Sequence, residues 1–172
     1  MGDGTRREET MKYLIFSDSH GHAEYMRRAL SLHPDAAGVW FLGDGLEDFA
    51  QICADRPYLP MLAVAGNMDG GFAAEPTSRV FDIGGHRVLA LHGHTASVRS
   101  GTTVLEAQAR ACGADIALFG HTHEPYLHYE GGEAPLWLFN PGSIGHPYDG
   151  VHRYGLLEIR GDALLFSHGI AD

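Results

Sequence analysis

The sequence predicts an α/β domain with a parallel half and an antiparallel half, built as two packed β-sheets with helices outside. Two observations lead to this prediction. The first third of the chain alternates short apolar runs with helical patterns, and the remainder is rich in strands separated by glycine turns. The length of 172 residues suits one domain with one substantial core.

The N-terminal part has the order strand, helix, strand, helix, strand. Met26, Ala29 and Leu30 lie on one face of the first predicted helix, whereas the strands are short apolar runs that end in polar turns. This order favours a parallel sheet with right-handed crossovers. The predicted elements are a strand at 13–17, a helix at 23–32, a strand at 39–42, a helix at 46–54 and a strand at 61–65.

The pattern changes in the second part of the chain, where antiparallel pairing is expected. Gly84-Gly85 separates two strand-like runs at 79–83 and 87–92, which is a strong hairpin signal. A helix at 104–112 and a strand at 116–119 follow. Turns at Gly131-Gly132 and Gly161-Asp162 would connect the last four strands, predicted at 126–129, 136–140, 154–160 and 163–167.

The domain is assigned to residues 11–172. Residues 1–10 are polar and charged, so we expect a disordered extension, a cloning remnant or a translation start assigned too far upstream, rather than a signal peptide. No stretch reaches the ~20 apolar residues that cross a bilayer. Cys53 and Cys112 form no CxxC pair, and we interpret them as buried thiols of a cytoplasmic protein.

The charge balance narrows the class of partner. The chain has 12 basic and 22 acidic residues, with a formal net charge of -10. Such a surface argues against an extended nucleic-acid interface and against binding to anionic membranes. A small anionic substrate is still compatible, because bound cations would reverse the field locally. A homo-oligomer is compatible with the sequence.

Five polar clusters follow predicted strands, at the point where each strand ends. In α/β sheets, ligands bind beyond the carboxyl ends of the strands, so these clusters are expected to converge at one edge. A glycine in or near each cluster lets the backbone turn sharply and approach a ligand. The clusters are Asp18-Ser19-His20, Gly43-Asp44, Gly66-Asn67-Met68-Asp69, His92-Gly93-His94 and Gly120-His121-Thr122-His123.

The residue types in these clusters indicate a metal site. Carboxylate, imidazole and amide oxygen together suit manganese, iron, zinc, nickel or cobalt. Seven candidate ligands are too many for one tetrahedral ion but suit two divalent ions that share a carboxylate. Asp44, a carboxylate that stands alone in its cluster, is the natural bridge. The candidate ligands are Asp18, His20, Asp44, Asn67, His92, His121 and His123.

The order of these motifs resembles that of the calcineurin-like metallophosphoesterases, whose pattern is DxH, GD, GN, H and GHxH. The matching residues span the chain from the first strand to residue 123. The remainder, which includes Asn140-Pro141-Gly142-Ser143, is similar to the small YfcE-type phosphodiesterases. Each motif alone is weak evidence, whereas all five in order at strand ends are a strong signal.

The resemblance implies both the activity and the fold, which is two mixed β-sheets packed face to face as a sandwich and flanked by helices. One ion would be held by Asp18, His20 and His123, the other by Asn67, His92 and His121, with Asp44 between them. A hydroxide held between the two ions, manganese first among them, would attack a small phosphodiester in line with the departing alcohol. The candidate catalytic residues are Asp44, Asn67 and His94, and Asn67 and His94 are also the candidate substrate-binding residues.

The sequence departs from the family in two places. Met68 occupies the position where many members have histidine after the GN motif, and methionine cannot donate a proton to a leaving group. His94 could face the substrate, and Asp69 could orient a histidine. The arginine that protein Ser/Thr phosphatases carry after the GD motif is replaced by the stretch 45–48, in which Glu47 and Asp48 are expected to be solvated, so a phosphoprotein substrate is disfavoured.

A second class of function is a non-catalytic scaffold on the same fold. The metallophosphoesterase-fold subunit of retromer shows that this architecture can serve partner binding. Loss of metal ligands would indicate such a role, and none of the seven candidate ligands is missing from this chain. A metalloenzyme built on a (β/α)8 barrel is excluded by length, because that barrel needs ~250 residues.

Overall fold

The computed structural model describes residues 9–70 and 74–172. Within these ranges the chain forms three α-helices, α1 (Ala23–Leu32), α2 (Leu46–Asp55) and α3 (Thr103–Ala111), and two short 3₁₀ helices at His94–Ala96 and Val98–Ser100. The strands are β1 (Thr10–Phe16), β2 (Gly38–Phe41), β3 (Met61–Ala63), β4 (Ser78–Ile83), β5 (His86–Leu91), β6 (Ile116–Leu118), β7 (Pro125–Glu130), β8 (Leu136–Pro141), β9 (Arg153–Arg160) and β10 (Ala163–Ile170).

The strands form two five-stranded mixed sheets. The first has the order β10-β9-β1-β2-β3, in which β1, β2 and β3 are parallel and β9 and β10 are antiparallel additions. The second has the order β4-β5-β6-β8-β7, in which β5, β6 and β8 are parallel. The carboxyl ends of the parallel strands carry the loops of the five polar clusters.

The core has three apolar layers. One lies between the first sheet and the helices α1 and α2, where Phe16, Met26 and Phe41 are buried. The middle layer lies between the two sheets and includes Ile15 and Phe139. The third packs α3 on the second sheet. Strands β1, β2 and β6 face apolar neighbours on both sides, which is why their sequences are continuous apolar runs rather than alternating ones.

The predicted fold class is confirmed, and every predicted helix and strand is present with ends shifted by a few residues at most. The expectation of one parallel and one antiparallel half is wrong. The C-terminal hairpin β9–β10 returns to the first sheet, where β9 pairs with β1, so both sheets are mixed. Thr10 already belongs to β1 and pairs with Arg160, whereas residues 1–8 of the expected extension lie outside the described residues.

The two thiols are unpaired, as predicted, but only partly buried. Cys53 lies 3.4 Å from the Met61 sulfur and Cys112 donates to the carbonyl of Ala109. In the ranges that the structure describes, no helix has the length and hydropathy needed to span a membrane.

A glycine in β9 sets the distance between the two sheets. A Cβ atom at Gly155 would overlap the ring of Phe139 and lie 3.1 Å from the Cβ of Ile15. We therefore expect Gly155→Ala to lower the free energy of unfolding by about 1–3 kcal/mol through overpacking. Urea denaturation measures it, with Gly131→Ala as the control because a Cβ there meets only Tyr129 at 3.6 Å. A Gly155→Ala protein as stable as the wild type would refute this account of the sheet spacing.

Candidate metal centre

Backbone hydrogen bonds hold the loops of the polar clusters against one another. The Asp18 N–H donates to the Gly43 carbonyl at 2.9 Å, which joins the first two clusters. The Gly120 N–H donates to the His92 carbonyl, also at 2.9 Å, which joins the last two. The Ile144 N–H donates to the Ser17 carbonyl at 3.0 Å and so connects the sheets at this edge. The predicted convergence of the clusters is confirmed.

Two groups of predicted ligands emerge from this convergence. Asp18, His20 and His123 form one group, and Asp44, His92 and His121 form the other. In each group the three potential ligand atoms lie within 4.8 Å of one another. Asp44 connects the groups, because its Oδ2 lies 3.2 Å from His92 Nε2 and 3.8 Å from His20 Nε2.

The backbone at these positions is strained. Among the described residues, six that are not glycine have positive φ, and five of them are predicted ligands. Such φ values are uncommon outside glycine and cluster at functional sites, where surrounding contacts hold them in place. The five angles lie between 44° and 69°, at Asp18, His20, Asp44, His121 and His123.

Hydrogen bonds to backbone carbonyls fix the orientation of two histidines. His92 Nδ1 donates to the Leu42 carbonyl and His123 Nδ1 to the His146 carbonyl, both at 2.7 Å. Because a carbonyl only accepts, these nitrogens carry hydrogen and the Nε2 atoms are left for another partner. This arrangement is the usual one for histidines that bind metals.

One oxygen of Asp18 has no hydrogen-bond partner among the described residues, although it is buried. The other oxygen, Oδ2, accepts from Ser17 Oγ at 2.5 Å and from the His121 N–H at 3.1 Å. The unpartnered Oδ1 lies 3.3 Å from His123 Nε2 and 3.7 Å from His20 Nε2. A buried carboxylate oxygen left in this way is costly unless a cation compensates it.

The carboxylates and two histidines are strongly coupled. Burial alone would raise the pKa of Asp18, but the His123 and His20 rings beside its Oδ1 outweigh burial and hold the pKa well below its usual value. Burial would likewise lower the pKa of His92, yet its bond to Asp44 and the charge of Asp18 raise it. The carboxylates are therefore ionised, and the cluster gains stability from positive charge placed among them.

His121 is the exception among the ligands. Burial, and then the positive charges of His92 and Arg99, lower the pKa of His121 to about 4. Its ring is therefore neutral near pH 7 and can offer a lone pair. Its Nδ1 lies 3.2 Å from His92 Nε2, so the two rings point toward a common position.

Asp69 organises the loops around Asp44, a role that the sequence did not reveal. Its Oδ2 accepts the N–H groups of Asp44 and Gly66, and its Oδ1 accepts those of Gly45 and Leu46, at 2.7–3.0 Å. The prediction that Asp69 orients a histidine is wrong, because both of its oxygens accept backbone N–H groups. No local signal indicates this role, because three of the four N–H groups lie 23–25 residues away in sequence.

Three more polar side chains hold the loops together. Asp48 is buried rather than solvated, as it was expected to be, because it accepts from Ser19 Oγ and the Gly21 N–H. Ser143 Oγ donates to the Asp18 carbonyl at 2.8 Å. The fully buried Asn140 donates to the Gly120 carbonyl and to Thr122. The segment 140–143 is thus a support for two ligand loops as well as a turn.

The positions of Asn67 and His94 are less constrained by contacts. Asn67 is exposed, but its neighbours touch the Asp44 carboxylate: the Met68 N–H donates to Asp44 Oδ1 at 2.8 Å, and Gly66 packs against it. His94 lies beside the centre, with its ring 5.5 Å from that of His92. Its buried Nδ1 has no partner within the described ranges. Their roles as ligand and substrate contact remain predictions.

The structure adds residues at the edge of the centre that the sequence did not point to. The Arg99 guanidinium donates to the His121 carbonyl at 3.3 Å, and the Tyr148 ring stacks on His123 at a centroid distance of 5.0 Å. His146 lies near the centre through its carbonyl. Neither Arg99 nor Tyr148 belongs to a recognisable motif, so only the fold brings them here.

Comparisons with known proteins agree with this geometry. The profile of the calcineurin-like phosphoesterase superfamily domain matches residues 11–162. The chain belongs to this superfamily. The metallophosphoesterase YsnB of Bacillus subtilis, itself described as probable, is 29% identical over 158 residues, which are 89% of this chain and 87% of that protein.

Solved structures share the metallophosphoesterase fold. A predicted phosphoesterase from Streptococcus pneumoniae aligns with a TM-score of 0.79 and 25% identity, over 95% of this chain and 91% of that one. Vacuolar Protein Sorting 29 from Cryptosporidium parvum aligns with a TM-score of 0.73 and 16% identity, over 94% and 98%. At this identity the second likeness shows the fold alone.

The four backbone bonds to Asp69 lead to a prediction. In Asp69→Asn, the amide NH₂ would oppose two backbone N–H groups in either orientation. We expect the free energy of unfolding to fall by at least about 2 kcal/mol. Manganese affinity should fall too, because the Asp44 loop loses its support.

Urea denaturation and calorimetric titration with manganese measure the two effects. Asp162→Asn, on the exposed turn between β9 and β10, is the matched control. Unchanged stability together with unchanged manganese affinity in Asp69→Asn would show that Asp69 does not organise this metallophosphoesterase site.

Proposed function

We propose that this protein hydrolyses small phosphodiesters with two divalent metal ions, manganese first among them, held by the seven predicted ligands. The observation that supports this most is the pair of ligand groups connected by Asp44, one of which contains a buried, unpartnered carboxylate oxygen. The two unpaired thiols suit a reducing compartment, so we place the reaction in the cytoplasm.

The donor set fits two such ions. Asp18, His20 and His123 would hold one, and His92, His121 and Asn67 the other, with Asp44 shared. Carboxylate, imidazole and amide ligands without thiolate suit manganese, iron, zinc, nickel or cobalt. When bound, the ions would supply Lewis acidity and a hydroxide nucleophile near neutral pH.

The protein's own residues would position the phosphate and limit the approach of water. His94 lies beside the second ligand group, and its side chain is available to hydrogen bond with a phosphoryl oxygen. Burial, and then the charge of His92, lower the pKa of His94, so the ring is neutral near pH 7. Asn67 is exposed at the edge of the centre, where its amide can contact both an ion and the substrate.

The leaving group has no assigned proton donor. Met68 is 70% exposed beside the centre and can neither donate nor accept a proton. Esters whose alcohols are good leaving groups need no donor, so the site is suited to aryl esters and other activated esters. Two clefts adjoin the centre, which is compatible with a substrate that carries two substituents on phosphorus.

The alternative is a non-catalytic scaffold that binds a protein partner, built on the fold that the chain shares with Vacuolar Protein Sorting 29. A scaffold has no need for strained ligand positions or a buried unpartnered carboxylate oxygen, and both features have a cost. The retention of all seven predicted ligands therefore favours catalysis.

The proposed role of Asp44 as a ligand shared by both ions predicts the effect of Asp44→Asn. The variant keeps an oxygen to accept the Met68 N–H, so the fold should be retained. We expect the metal content to fall from two ions per chain to one or none. Turnover of bis(p-nitrophenyl) phosphate should fall more than ~100-fold, since loss of an outer partner alone costs ~10–100-fold.

Metal analysis, steady-state kinetics and circular dichroism measure these effects, with Asp162→Asn as the control. An Asp44→Asn protein that is folded and keeps wild-type turnover would remove Asp44 as the bridge. A folded wild-type protein that hydrolyses no phosphoester with any of the five metals would exclude the proposed function and favour the scaffold.

The missing proton donor predicts a gain of function. Met68→His should raise kcat for esters with alkyl leaving groups by at least about tenfold, because general acid catalysis contributes ~10²–10⁴-fold. The rate with p-nitrophenyl esters should change little, since that leaving group departs without protonation.

Comparing methyl and p-nitrophenyl esters in wild type, Met68→His and Met68→Leu measures this effect. The leucine variant has the same position altered without a donor. Equal changes in the two variants, or no gain with alkyl esters, would show that the absent donor does not limit the reaction.

A further inference from the structure

A cleft of about 510 Å³ adjoins the metal centre on the side of the second sheet. It is formed by the segments 98–102 and 119–126 together with Tyr148. The loop that carries His121 and His123 forms its border with the centre, because Thr122 lies between these two ligands in sequence and lines the cleft. A molecule bound at the metal ions can therefore extend into this space.

The cleft is lined by one cation, Arg99, and one carboxylate, Glu124, and the two form no ion pair with each other. Arg99 forms no ion pair with any carboxylate in the described ranges, whereas Arg27, Arg87 and Arg153 each have an acidic partner. Its guanidinium is exposed and makes a hydrogen bond to the His121 carbonyl. In a chain of net charge -10, such a cation beside two metal ligands is suited to an anionic oxygen of a ligand.

The walls of the cleft are aromatic. Tyr126 is 39% exposed and rests on the buried Phe119, with ring centroids 5.9 Å apart. Tyr148 stacks on His123 and is 65% exposed, so much of its surface is open. Exposed tyrosines in a cleft beside a cation provide flat surfaces on which planar rings can stack.

We propose that this cleft binds the nucleoside half of a phosphodiester substrate, with the base against Tyr126 and Tyr148 and an anionic oxygen on Arg99. This assignment rests on the proposed function, since it names the substrate class of the same site. The second cleft beside the centre, of about 350 Å³ and bordered by His20, Glu47 and Met68, has no lysine or arginine among its lining residues. It suits the smaller, uncharged alcohol.

Two ligands that differ only in the base test the proposal by direct binding. Adenosine 5′-monophosphate and ribose 5-phosphate are titrated into the manganese-loaded full-length protein and followed by calorimetry. Because stacking of one base strengthens binding by about 5- to 150-fold, the nucleotide should bind at least about fivefold more tightly. Tyr126→Ala and Tyr148→Ala should each reduce this ratio toward one, whereas the phenylalanine replacements should retain it.

Arg99→Ala has a different expected signature. It should weaken both ligands by a similar factor and leave their ratio unchanged, because the cation contacts the anionic part that the ligands share. Tyr58→Ala is the matched control, since Tyr58 is 98% exposed and lies outside this cleft. Thermal denaturation of each variant verifies that it is folded.

Equal affinity of the wild type for the two ligands would overturn the proposal, as would a ratio that both tyrosine variants preserve. Because the measurement is of binding, its result is separate from that of the proposed function. If the protein binds the nucleotide through the tyrosines but hydrolyses no phosphoester, the nucleoside-binding proposal is supported and the catalytic proposal is contradicted. If the protein hydrolyses phosphoesters but binds the two ligands equally, the catalytic proposal is supported and the nucleoside-binding proposal is contradicted.

Discussion

Two carboxylates, Asp18 and Asp44, are buried at the edge where the two sheets meet, and the arrangement around them follows from the need to hold negative charge away from water. An isolated carboxylate in such a place is costly, so it must be compensated by hydrogen bonds or by cations. Four imidazole rings surround the pair and supply part of the compensation. The unpartnered oxygen of Asp18 indicates that the compensation by protein groups is incomplete.

The loops around these carboxylates are strained, and polar contacts with neighbouring segments must hold them in place. Five predicted ligands have positive φ, and conformations of this kind cost ~1–3 kcal/mol each. Asp69 takes four backbone N–H groups, Asp48 two donors, and Ser143 connects the Asp18 loop to the segment after β8. These contacts oppose relaxation of the loops that carry the predicted ligands.

The sequence predicted the elements and the ligand clusters because both depend on local patterns. Alternation of strand and helix is visible in the apolar periodicity, and the ligands follow strand ends, where parallel strands must deliver them to one edge. The return of β9 and β10 to the first sheet was not predictable, because pairing across 140 residues leaves no local signal. Asp69 and Asp48 were missed for a similar reason: a carboxylate that accepts backbone N–H groups resembles a solvated one in sequence. Arg99 and Tyr148 reach the centre only through tertiary packing.

The central claim is that two metal ions bind on either side of Asp44. Anomalous diffraction at the manganese absorption edge, from crystals of the manganese-loaded protein, tests it most directly. The account predicts two peaks ~3.5–4 Å apart, one beside Asp18, His20 and His123 and the other beside His92 and His121, both within ligand distance of Asp44. A single peak, or peaks away from Asp44, would contradict it.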